Sequence, residues 1–579
     1  MQTLLRKRPT EILKDINMTQ TAPILIAGAG PAGLVLALAL RQNGVPVRII
    51  DKEPKHHLGA RAAGIMPRTL EFYDFLGVLP DIMKASTQPP MFCAYKLPGG
   101  TEIEETYPMF LSNEPALDRP YLNPRILSQD INQAVLRSHL AKYDTLVELG
   151  TALRDFEDKG DHVVASVVKK GPDGAERSES YVASYLVGAD GARGVVRNRL
   201  GMAFDGEAYE GLNMVFSDVR IAGLGGEYWH KWGEMSDRMV TLRQTEEGDR
   251  FWVLGGGRQM DTANLRGEPE SMTQWIADVT GRRDIKVTEV LTFASYKLSR
   301  LAVDSEFSKG RVYLAGDAAH IHSPAGGQGM NNGISDAFSL AWRLSLAYKS
   351  LASTELMSSY SAERAPIIKT MLQRTTALLE NSSISWGKFA LKMGPKDKLP
   401  LFQLDLHYRW SPVIVDGMRE KAPPNAGPNG NMNQGGIVLA GDRAPDAPGL
   451  VDLTGNDSSM KTLFRYFKPT HHTALLFTSS TGSLDAFVSA LKQVPGGVVR
   501  STVVLPGTAS VRPDTQAEVD WRSRADCALK DCEGHAYDVY CVGARGGDVA
   551  VIVRPDGYIG AIVKDGEGVA KYFRKIVAA

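Results

Sequence analysis

Two glycine-rich segments hold the residues of this chain whose types and spacing are most able to do chemistry. The first reads GAGPAG at Gly28–Gly33, and the second reads GDAAHIHSPAGGQGMNNG at Gly316–Gly333. Because a glycine has no Cβ, its backbone amide is open to close approach by a phosphate or a planar ring. We interpret the two segments as two walls of one cofactor site.

The elements around the first segment can position it against a phosphate. Apolar runs at 23–27 and 34–40 predict a strand, a tight turn and a buried helix. In this arrangement Gly28 permits the turn, Gly30 lets the backbone approach a pyrophosphate, and Gly33 lets the helix pack on the strand. The helix amino terminus then adds its partial positive charge.

An acidic residue completes this fingerprint. The apolar run at 47–50 predicts a second strand that ends in Asp51, about 20 residues past the glycines. A carboxylate at that place can accept hydrogen bonds from an adenosine ribose. The fingerprint predicts a bound dinucleotide and leaves NAD and FAD both open.

The second glycine segment favours FAD. Asp317 closes a predicted strand at 311–316, where its carboxylate can bond a ribityl hydroxyl. A helix is predicted at 333–344, and its amino end would face the bound ring. The positive end of a helix dipole stabilises the negative charge of a reduced isoalloxazine. The glycines that leave amides uncovered for the ring are Gly326, Gly327, Gly329 and Gly333.

Composition indicates a multi-domain globular protein. The chain has 579 residues, 43% hydrophobic and 23% charged, and Lys plus Arg equals Asp plus Glu at 66 each. This balance gives no field that favours nucleic acid or an anionic membrane, so we expect a small neutral or mildly polar ligand. No apolar run reaches membrane-spanning length. The four cysteines show no CxxC and no zinc spacing, which predicts reduced thiols, a cytoplasmic location and no metal.

Composition shifts divide the chain into parts. We predict a flexible tail at 1–20 and an α/β nucleotide-binding domain at 21–380, with a β-sheet substrate domain inserted at about 204–299. Prolines mixed with glycine and asparagine predict an irregular connector at 381–434. Short strands alternating with helical stretches predict a third, smaller α/β domain at 435–579.

Over about residues 21 to 370 the chain resembles the single-component FAD-dependent aromatic hydroxylases, the class related to para-hydroxybenzoate hydroxylase and phenol hydroxylase. GAGPAG is similar to the family's ADP-binding turn, and Asp51 to its ribose-binding acid. The resemblance implies that Gln129 contacts the flavin and that Asp190 lies between FAD and the nicotinamide nucleotide. The family usually has serine where this chain has Gly194.

The second glycine segment resembles the family's third motif. The resemblance implies that Pro324 lies beside the flavin. His322 is a candidate polar neighbour of flavin or substrate, with a structural or surface histidine as the alternative. Arg61 is a candidate for pyrophosphate or nicotinamide phosphate, with an ordinary solvated arginine as the alternative. The residues whose backbone is implied to contact the pyrimidine ring are Gly329, Met330 and Asn331.

The C-terminal part is similar to the phenol hydroxylase branch through GDRAPD at 441–446 and VRPDGY at 553–558. This implies a Rossmann-like FAD-binding domain with an interleaved β-sheet substrate domain and a thioredoxin-like C-terminal domain. Cys527 and Cys532 are not spaced as CxxC, so we expect the last domain to pack or to form homodimer contacts rather than to exchange disulfides.

The resemblance also implies a reaction. NADPH or NADH reduces FAD, molecular oxygen adds at the flavin C4a position, and the hydroperoxide transfers oxygen to a phenolic or polyketide-like aromatic. Since one dinucleotide fingerprint is present, we expect the nicotinamide nucleotide to dock transiently.

Two residues depart from the simple phenol hydroxylases. Ala63 stands where those enzymes have an aspartate beside the ring, and Trp252 where some relatives have a tyrosine. Trp252 either stacks on a large substrate or is a core tryptophan. No catalytic base is assigned. The alternatives left open are Baeyer–Villiger insertion or epoxidation on the same scaffold, a flavin dehydrogenase or oxidase, and a non-catalytic flavin-binding interaction protein.

Overall fold

The structure is a computed structural model that describes residues 22–171, 173–260, 265–321, 325–380, 401–418, 437–454, 459–478, 480–508 and 524–578. Its first sheet is mainly parallel, with one antiparallel strand at its edge. The strands lie in the order β17 (Ser308–Lys309), β18 (Val312–Leu314), β11 (Leu186–Gly188), β1 (Ile24–Ala27), β2 (Val47–Ile50) and β7 (Val147–Glu148). Every residue of the central strand β1 is buried, as expected of a parallel strand covered on both faces.

Helices cover this sheet. Helix α1 (Pro31–Gln42) has proline at its first position, where the missing N–H costs no hydrogen bond. Its residues 33–40 are all buried because α1 packs against both α4 (Gln129–Ala141) and α7 (Gly329–Tyr348). The remaining helices of this part are α2 (Pro67–Phe75), α3 (Leu79–Ala85), α5 (Val195–Leu200) and α8 (Thr354–Glu380).

Two small antiparallel sheets flank the domain. One has three strands, β8 (Thr151–Asp158), β9 (Val163–Lys170) and β10 (Glu176–Ala183). The other pairs β3 (Gly64–Ile65) with β6 (Arg125–Ile126). This second pair holds the chain just after Ala63 close to the start of α4.

An eight-stranded sheet forms the expected substrate-side domain. Its order is β19 (His320–Ile321), β16 (Lys286–Ala302), β12 (Asp205–Ala222), β15 (Arg250–Gly257), β14 (Met239–Gln244), β13 (Trp229–Gly233), β4 (Met91–Tyr95) and β5 (Ile103–Pro108). One face packs on α6 (Pro269–Thr280) through a buried apolar cluster. The other face turns to the nucleotide-binding domain. Strands β4, β5 and β19 come from outside the range 204–299 expected for the insert.

The C-terminal part is built on a seven-stranded mixed sheet. Its order is β20 (Val415–Asp416), β26 (Ile559–Val563), β25 (Val549–Val553), β22 (His472–Phe477), β23 (Val499–Pro506), β24 (Cys527–Asp531) and β21 (Leu450–Asp452). Its helices are α9 (Thr481–Leu491), α10 (His535–Val539), α11 (Val542–Arg545) and α12 (Gly566–Ile576). Strand β20 lies inside the range expected for the connector. The thioredoxin-like character of this part stays a prediction.

Buried ion pairs join the C-terminal part to the helices of the nucleotide-binding domain. Arg443 Nη2 lies 2.6 Å from Glu71 Oε1 on α2, and neither side chain is more than 4% exposed. Arg68, on the same helix, donates to the carbonyl oxygen of Asp556 at 2.9 Å. Arg554 Nη1 lies 2.8 Å from Glu363 Oε1 on α8, with both side chains fully buried. The terminal domain therefore packs directly on helices that support the glycine segments.

Candidate flavin and substrate sites

A cavity of about 750 Å³ opens where β1 and β2 end. Six residues predicted to bind the cofactor line it: Gly28, Gly30, Asp51, Arg61, Gln129 and Asp190. Its wall also includes basic side chains that the sequence motifs do not identify. These are Lys52, Lys55, His56, His57 and Arg193. The cavity thus combines open backbone amides with cations, the donor set that a pyrophosphate requires.

Glycine is needed at Gly28 and Gly33 for a different structural reason than at Gly30. Gly28 has φ +105°, and a Cβ there would lie 2.2 Å from the carbonyl oxygen of Ala189. A Cβ at Gly33 would lie 2.1 Å from the carbonyl oxygen of Gly28. A Cβ at Gly30 would meet no protein atom within 4 Å. Gly30 is therefore open only toward the cavity that it lines, whereas the other two permit close backbone packing.

Asp51 lies against the glycine turn. Its Oδ2 accepts a hydrogen bond from the Ala29 amide at 2.9 Å, and its Oδ1 accepts one from the Glu53 amide at 3.0 Å. Parallel pairing of β1 with β2 brings the carboxylate to the same edge as the turn. Both carboxylate oxygens keep lone pairs for a ligand hydroxyl.

Asp190 offers a second acceptor on the opposite wall. Its Oδ2 accepts from the Val196 amide at 3.1 Å, whereas its buried Oδ1 has no hydrogen-bond partner among the described residues. Burial raises the pKa of Asp190, and the Val196 hydrogen bond partly offsets this. A Cβ at Gly194 would lie 2.1 Å from Asp190 Oδ1. Glycine at position 194 therefore leaves room for the Asp190 carboxylate, which a larger side chain would displace.

The two glycine segments meet in the structure. A Cβ at Gly316 would lie 3.3 Å from Ala32 Cβ, in the first turn of α1, and 3.5 Å from Gly333 Cα in α7. The neighbouring Asp317 lies in a 3₁₀ turn and is exposed to solvent. Desolvation by the surrounding protein nevertheless raises its pKa, and the charges of His320 and Arg61 oppose this rise.

Helix α7 begins at Gly329, and its amino end is predicted to face the flavin ring. The first hydrogen bond of the helix runs from the Asn332 amide to Gln328 O at 2.9 Å. The amides of Gly329, Met330 and Asn331 precede this bond and therefore have no partner within the helix. The Asn331 side chain is fully occupied within the protein. Its Oδ1 accepts from the Met66 amide at 2.9 Å, and its Nδ2 donates to Gly327 O at 2.7 Å. Asn331 therefore ties the glycine loop to β3–α2, and only its backbone is available to a ligand.

A buried charge cluster that the sequence reasoning missed supports the Asp317 turn. Asp336, on α7, accepts from the Gly316 amide at 3.0 Å, from His320 Nε2 at 2.7 Å and from Arg364 Nε at 2.7 Å. Burial would raise the pKa of Asp336, but Arg364 and His320 outweigh it and the pKa is lowered. The signal that was available is His320 within the glycine motif, since a buried histidine requires a partner.

Arg61 has a backbone conformation that few residues other than glycine adopt. Its φ is +37°, in the left-handed region, and such a backbone persists where the surroundings hold it. The side chain is exposed and lines the cavity. Its charge also contributes to the lowered pKa of His57 and opposes the raised pKa of Asp317. Arg61 therefore lies between the two parts of the cofactor site.

One line of side chains crosses the eight-stranded sheet on the face turned to the nucleotide-binding domain. Strand register aligns its members one per strand, and we call them the transverse row. They are Tyr107, Phe92, Trp229, Arg243, Trp252, Asp218 and Thr292. At one end, Asp218 Oδ1 accepts from the Ala60 amide at 2.9 Å. Along its middle, Trp252 and Trp229 pack in one cluster with Ala60 and Ala63.

Comparison with known proteins identifies the fold and the family. The protein-family model described as FAD binding domain matches residues 21–375 of this chain. A flavin-dependent monooxygenase of Mycobacteroides abscessus is 31% identical over 566 residues, covering 96% of this chain and all of that protein. The chain belongs to the FAD-dependent monooxygenases.

Two further matches agree with this assignment. Pentachlorophenol 4-monooxygenase of Sphingobium chlorophenolicum is 30% identical to this monooxygenase, covering 74% of this chain and 76% of that protein. The solved aklavinone-11 hydroxylase, in a complex with FAD and aklavinone, has a TM-score of 0.75 at 22% identity and covers 96% of this chain and 98% of its own. The latter confirms the expected architecture, with its Rossmann-like FAD domain.

The residues present in this monooxygenase fit FAD. The cavity places an uncovered glycine at Gly30, a carboxylate at Asp51 and the unpartnered Oδ1 of Asp190 around one volume large enough for a nucleotide. His322 and Pro324 lie outside the described residues. Within the described part, no group of three His, Cys, Asp or Glu side chains is placed to hold a metal, and no helix could cross a membrane.

Proposed function

We propose that this monooxygenase hydroxylates a phenolic or polyketide-like aromatic larger than phenol, with NADPH or NADH as reductant. The observation that carries the proposal is the transverse row. It presents four aromatic rings, and Phe92 stacks on Trp229 with ring centroids 4.8 Å apart. Trp229 meets Trp252 edge to face at 5.6 Å. An extended aromatic wall suits a planar substrate of several rings.

The same face continues as an apolar wall. Phe216 and Leu254 are two residues away from the row along their strands and lie on the same face. Both are partly exposed and pack against buried methionines. These are Met214, Met235 and Met239. Methionine adapts to irregular ligand shapes, and an apolar wall keeps water away from an activated oxygen. Both properties favour oxygen transfer to a large ring system over release of hydrogen peroxide.

Residues on both walls would hold FAD. The amides around Gly28 and Gly30 would bind the pyrophosphate, Asp51 the adenosine ribose, and Asp317 the ribityl chain. The amides at the start of α7 would lie against the pyrimidine ring, and Gln129 beside the flavin. FAD, once reduced by the nicotinamide nucleotide, would activate molecular oxygen, which supplies the oxygen atom for the substrate and leaves its second atom as water. Asp190 and Arg61, which line the same cavity, would lie where the transiently docked nicotinamide nucleotide meets FAD.

We also propose a cytoplasmic location, and a homodimer in which the C-terminal domain takes part. All four cysteines are free thiols in the structure, as is usual in a reducing compartment. Light scattering on the purified protein measures its mass and so its oligomeric state. Loss of the dimer on substituting exposed residues of the C-terminal domain would support the proposed homodimer.

The test is oxidation of NADPH or NADH by the purified yellow protein against a panel of phenols and quinones of one to four rings. Product mass and hydrogen peroxide are measured in the same reactions. We expect a product heavier by one oxygen, little peroxide and a preference for three or four rings. A ring-expanded lactone or an epoxide of that mass would assign the other oxygen-transfer reactions, and stoichiometric peroxide with every compound would refute the proposal. Asp317→Ala should lower FAD content, which relates the activity to the predicted site.

A further inference from the structure

The centre of the transverse row holds an unusual number of buried polar atoms without partners. Trp229 Nε1, Trp252 Nε1, and Nε and Nη2 of Arg243 have no hydrogen-bond partner among the described residues. The same holds for Glu246 Oε1, which lies 3.7 Å from Arg243 Nη1. Folded proteins leave few such atoms unsatisfied. Five of them in one place, four donors and one acceptor, indicate a site that a ligand completes.

Strand register explains why these atoms gather. Arg243 on β14 pairs with Trp229 on β13 and with Trp252 on β15, so the three side chains share one face of the sheet. The Arg243 guanidinium carbon lies 5.7 Å from the centroid of the Trp229 ring. All three side chains are buried, with exposed fractions of 2% for Arg243, 7% for Trp229 and 6% for Trp252. A buried cation thus stands between two tryptophan side chains on one face of the sheet.

The charge of Arg243 is incompletely compensated. Its Nη1 donates to the Gln244 carbonyl at 3.0 Å, and Glu246 is a more distant counter-charge. Burial lowers the pKa of Arg243, although Glu246 and Asp218 oppose this. An anionic oxygen would restore the solvation that burial removed, because charge-assisted hydrogen bonds are strongest where water is excluded.

This cluster lies next to the cofactor site. Glu246 Oε2 accepts a hydrogen bond from the hydroxyl of Ser128, and Ser128 directly precedes Gln129, which lines the cofactor cavity. On the other side Trp252 packs with Ala63, the position where the simple phenol hydroxylases have an aspartate. A ligand held at Arg243 would therefore lie between the aromatic wall and the predicted flavin.

We propose that Arg243, with the indole N–H groups of Trp229 and Trp252, anchors an ionised oxygen of a planar substrate, either a phenolate or an enolate. The inference rests on the proposed function. Glu246 Oε1 accepts from a neighbouring hydroxyl of the same substrate. The substrate O–H bond breaks on binding, its proton passes to bulk solvent, and the electron pair stays on the oxygen.

The anchor accounts for the missing base at Ala63. Electrophilic oxygen transfer needs an electron-rich ring, and ionisation of a phenol supplies it. A side-chain base is one way to remove the proton. A buried cation that stabilises the oxyanion achieves the same result by lowering the substrate pKa. The substrate class that follows is a multi-ring phenol or enolised dicarbonyl with a second hydroxyl beside the ionised one.

The test uses the FAD-loaded protein and hydroxylated naphthoquinones and anthraquinones, whose visible absorption moves to longer wavelength when they ionise. Each phenol is compared with its O-methyl ether, which cannot ionise. We expect bound phenols to show the ionised spectrum at neutral pH. Arg243→Met should lose this signature and about 100-fold in kcat/KM for the phenol, with less than about threefold loss for the ether. Arg243→Lys should restore part of the ionised spectrum because it keeps the charge.

Matched variants separate anchoring from folding. Trp229→Phe and Trp252→Phe keep the rings and remove the N–H donors, and each should raise the pH at which the bound phenol ionises. Arg238→Met, in the exposed turn before β14, is the control and should leave that pH unchanged. A neutral spectrum for every phenol that the wild-type protein hydroxylates would overturn the anchor and leave the hydroxylase intact. If no phenol is turned over, the proposed function fails, while ionisation on binding would still support the anchor.

Discussion

Gly30→Ala provides the sharpest test of where the cofactor binds. Gly30 has φ −69° and ψ −179°, an extended conformation that alanine adopts readily. The added methyl group would meet no protein atom within 4 Å, so the free energy of unfolding of the cofactor-free protein should change by less than about 1 kcal/mol. The methyl group would project into the space assigned to the pyrophosphate.

The expected loss of FAD affinity follows from the hydrogen bonds that the methyl group would displace. A charge-assisted hydrogen bond contributes about 1.5–3 kcal/mol, so losing one should weaken FAD binding by roughly 10- to 100-fold. The assay is titration of the deflavinated protein with FAD, followed by flavin fluorescence, together with its urea unfolding curve.

Gly33→Ala is the matched control because its methyl group would lie 2.1 Å from the carbonyl oxygen of Gly28. It should destabilise the cofactor-free protein by about 2 kcal/mol or more, since a backbone atom cannot move away easily. The reasoning is refuted if Gly30→Ala binds FAD within twofold of the wild type, or if it destabilises the empty protein as much as Gly33→Ala does.

Three further outcomes are expected from the buried charges. Asp336→Asn leaves the Arg364 cation uncompensated and should lower the free energy of unfolding by about 3 kcal/mol, which urea unfolding with and without FAD measures. The carboxylate of Glu363 is held between arginines that, against the effect of burial, lower its pKa to about 2. The stability it contributes should be complete above about pH 4.5 and be lost as the pH falls toward 2, a pH dependence that Glu363→Gln should abolish. Arg443→Met should destabilise the protein by about 1.5–3 kcal/mol, because the buried Glu71 carboxylate loses its charge-assisted hydrogen bonds from Arg443 and keeps only Arg68 as a counter-charge. Arg443→Lys should recover part of this loss in thermal unfolding.

The sequence could specify the pyrophosphate side because its signals are local. Gly28, Gly30 and Gly33 lie on one turn, and Asp51 follows at the end of the next strand, so spacing alone relates them. The family resemblance extended this to Gln129 and Asp190, which the structure brings to the same cavity. These residue roles stay predictions, while the fold class is confirmed.

The substrate side could not be derived in the same way. Trp229, Arg243 and Trp252 become neighbours through strand register, which depends on turn lengths and on a whole sheet. The support of Asp336 by Arg364 likewise spans helices that the sequence does not relate. The sequence leaves the role of Trp252 open because a single tryptophan in a strand gives the same pattern in a core and in a binding wall.

The buried pair of Arg443 with Glu71, and the bond from Arg68 to the Asp556 carbonyl, define which parts of this protein can be exchanged between relatives. A chimera that takes its C-terminal domain from one parent and its α2 helix from the other would bury a charge against a surface that did not coevolve with it. Recombination should therefore succeed when α2 and the segments 441–446 and 553–558 are inherited together. For enzyme engineering, the unit of exchange is discontinuous in sequence and contiguous in space.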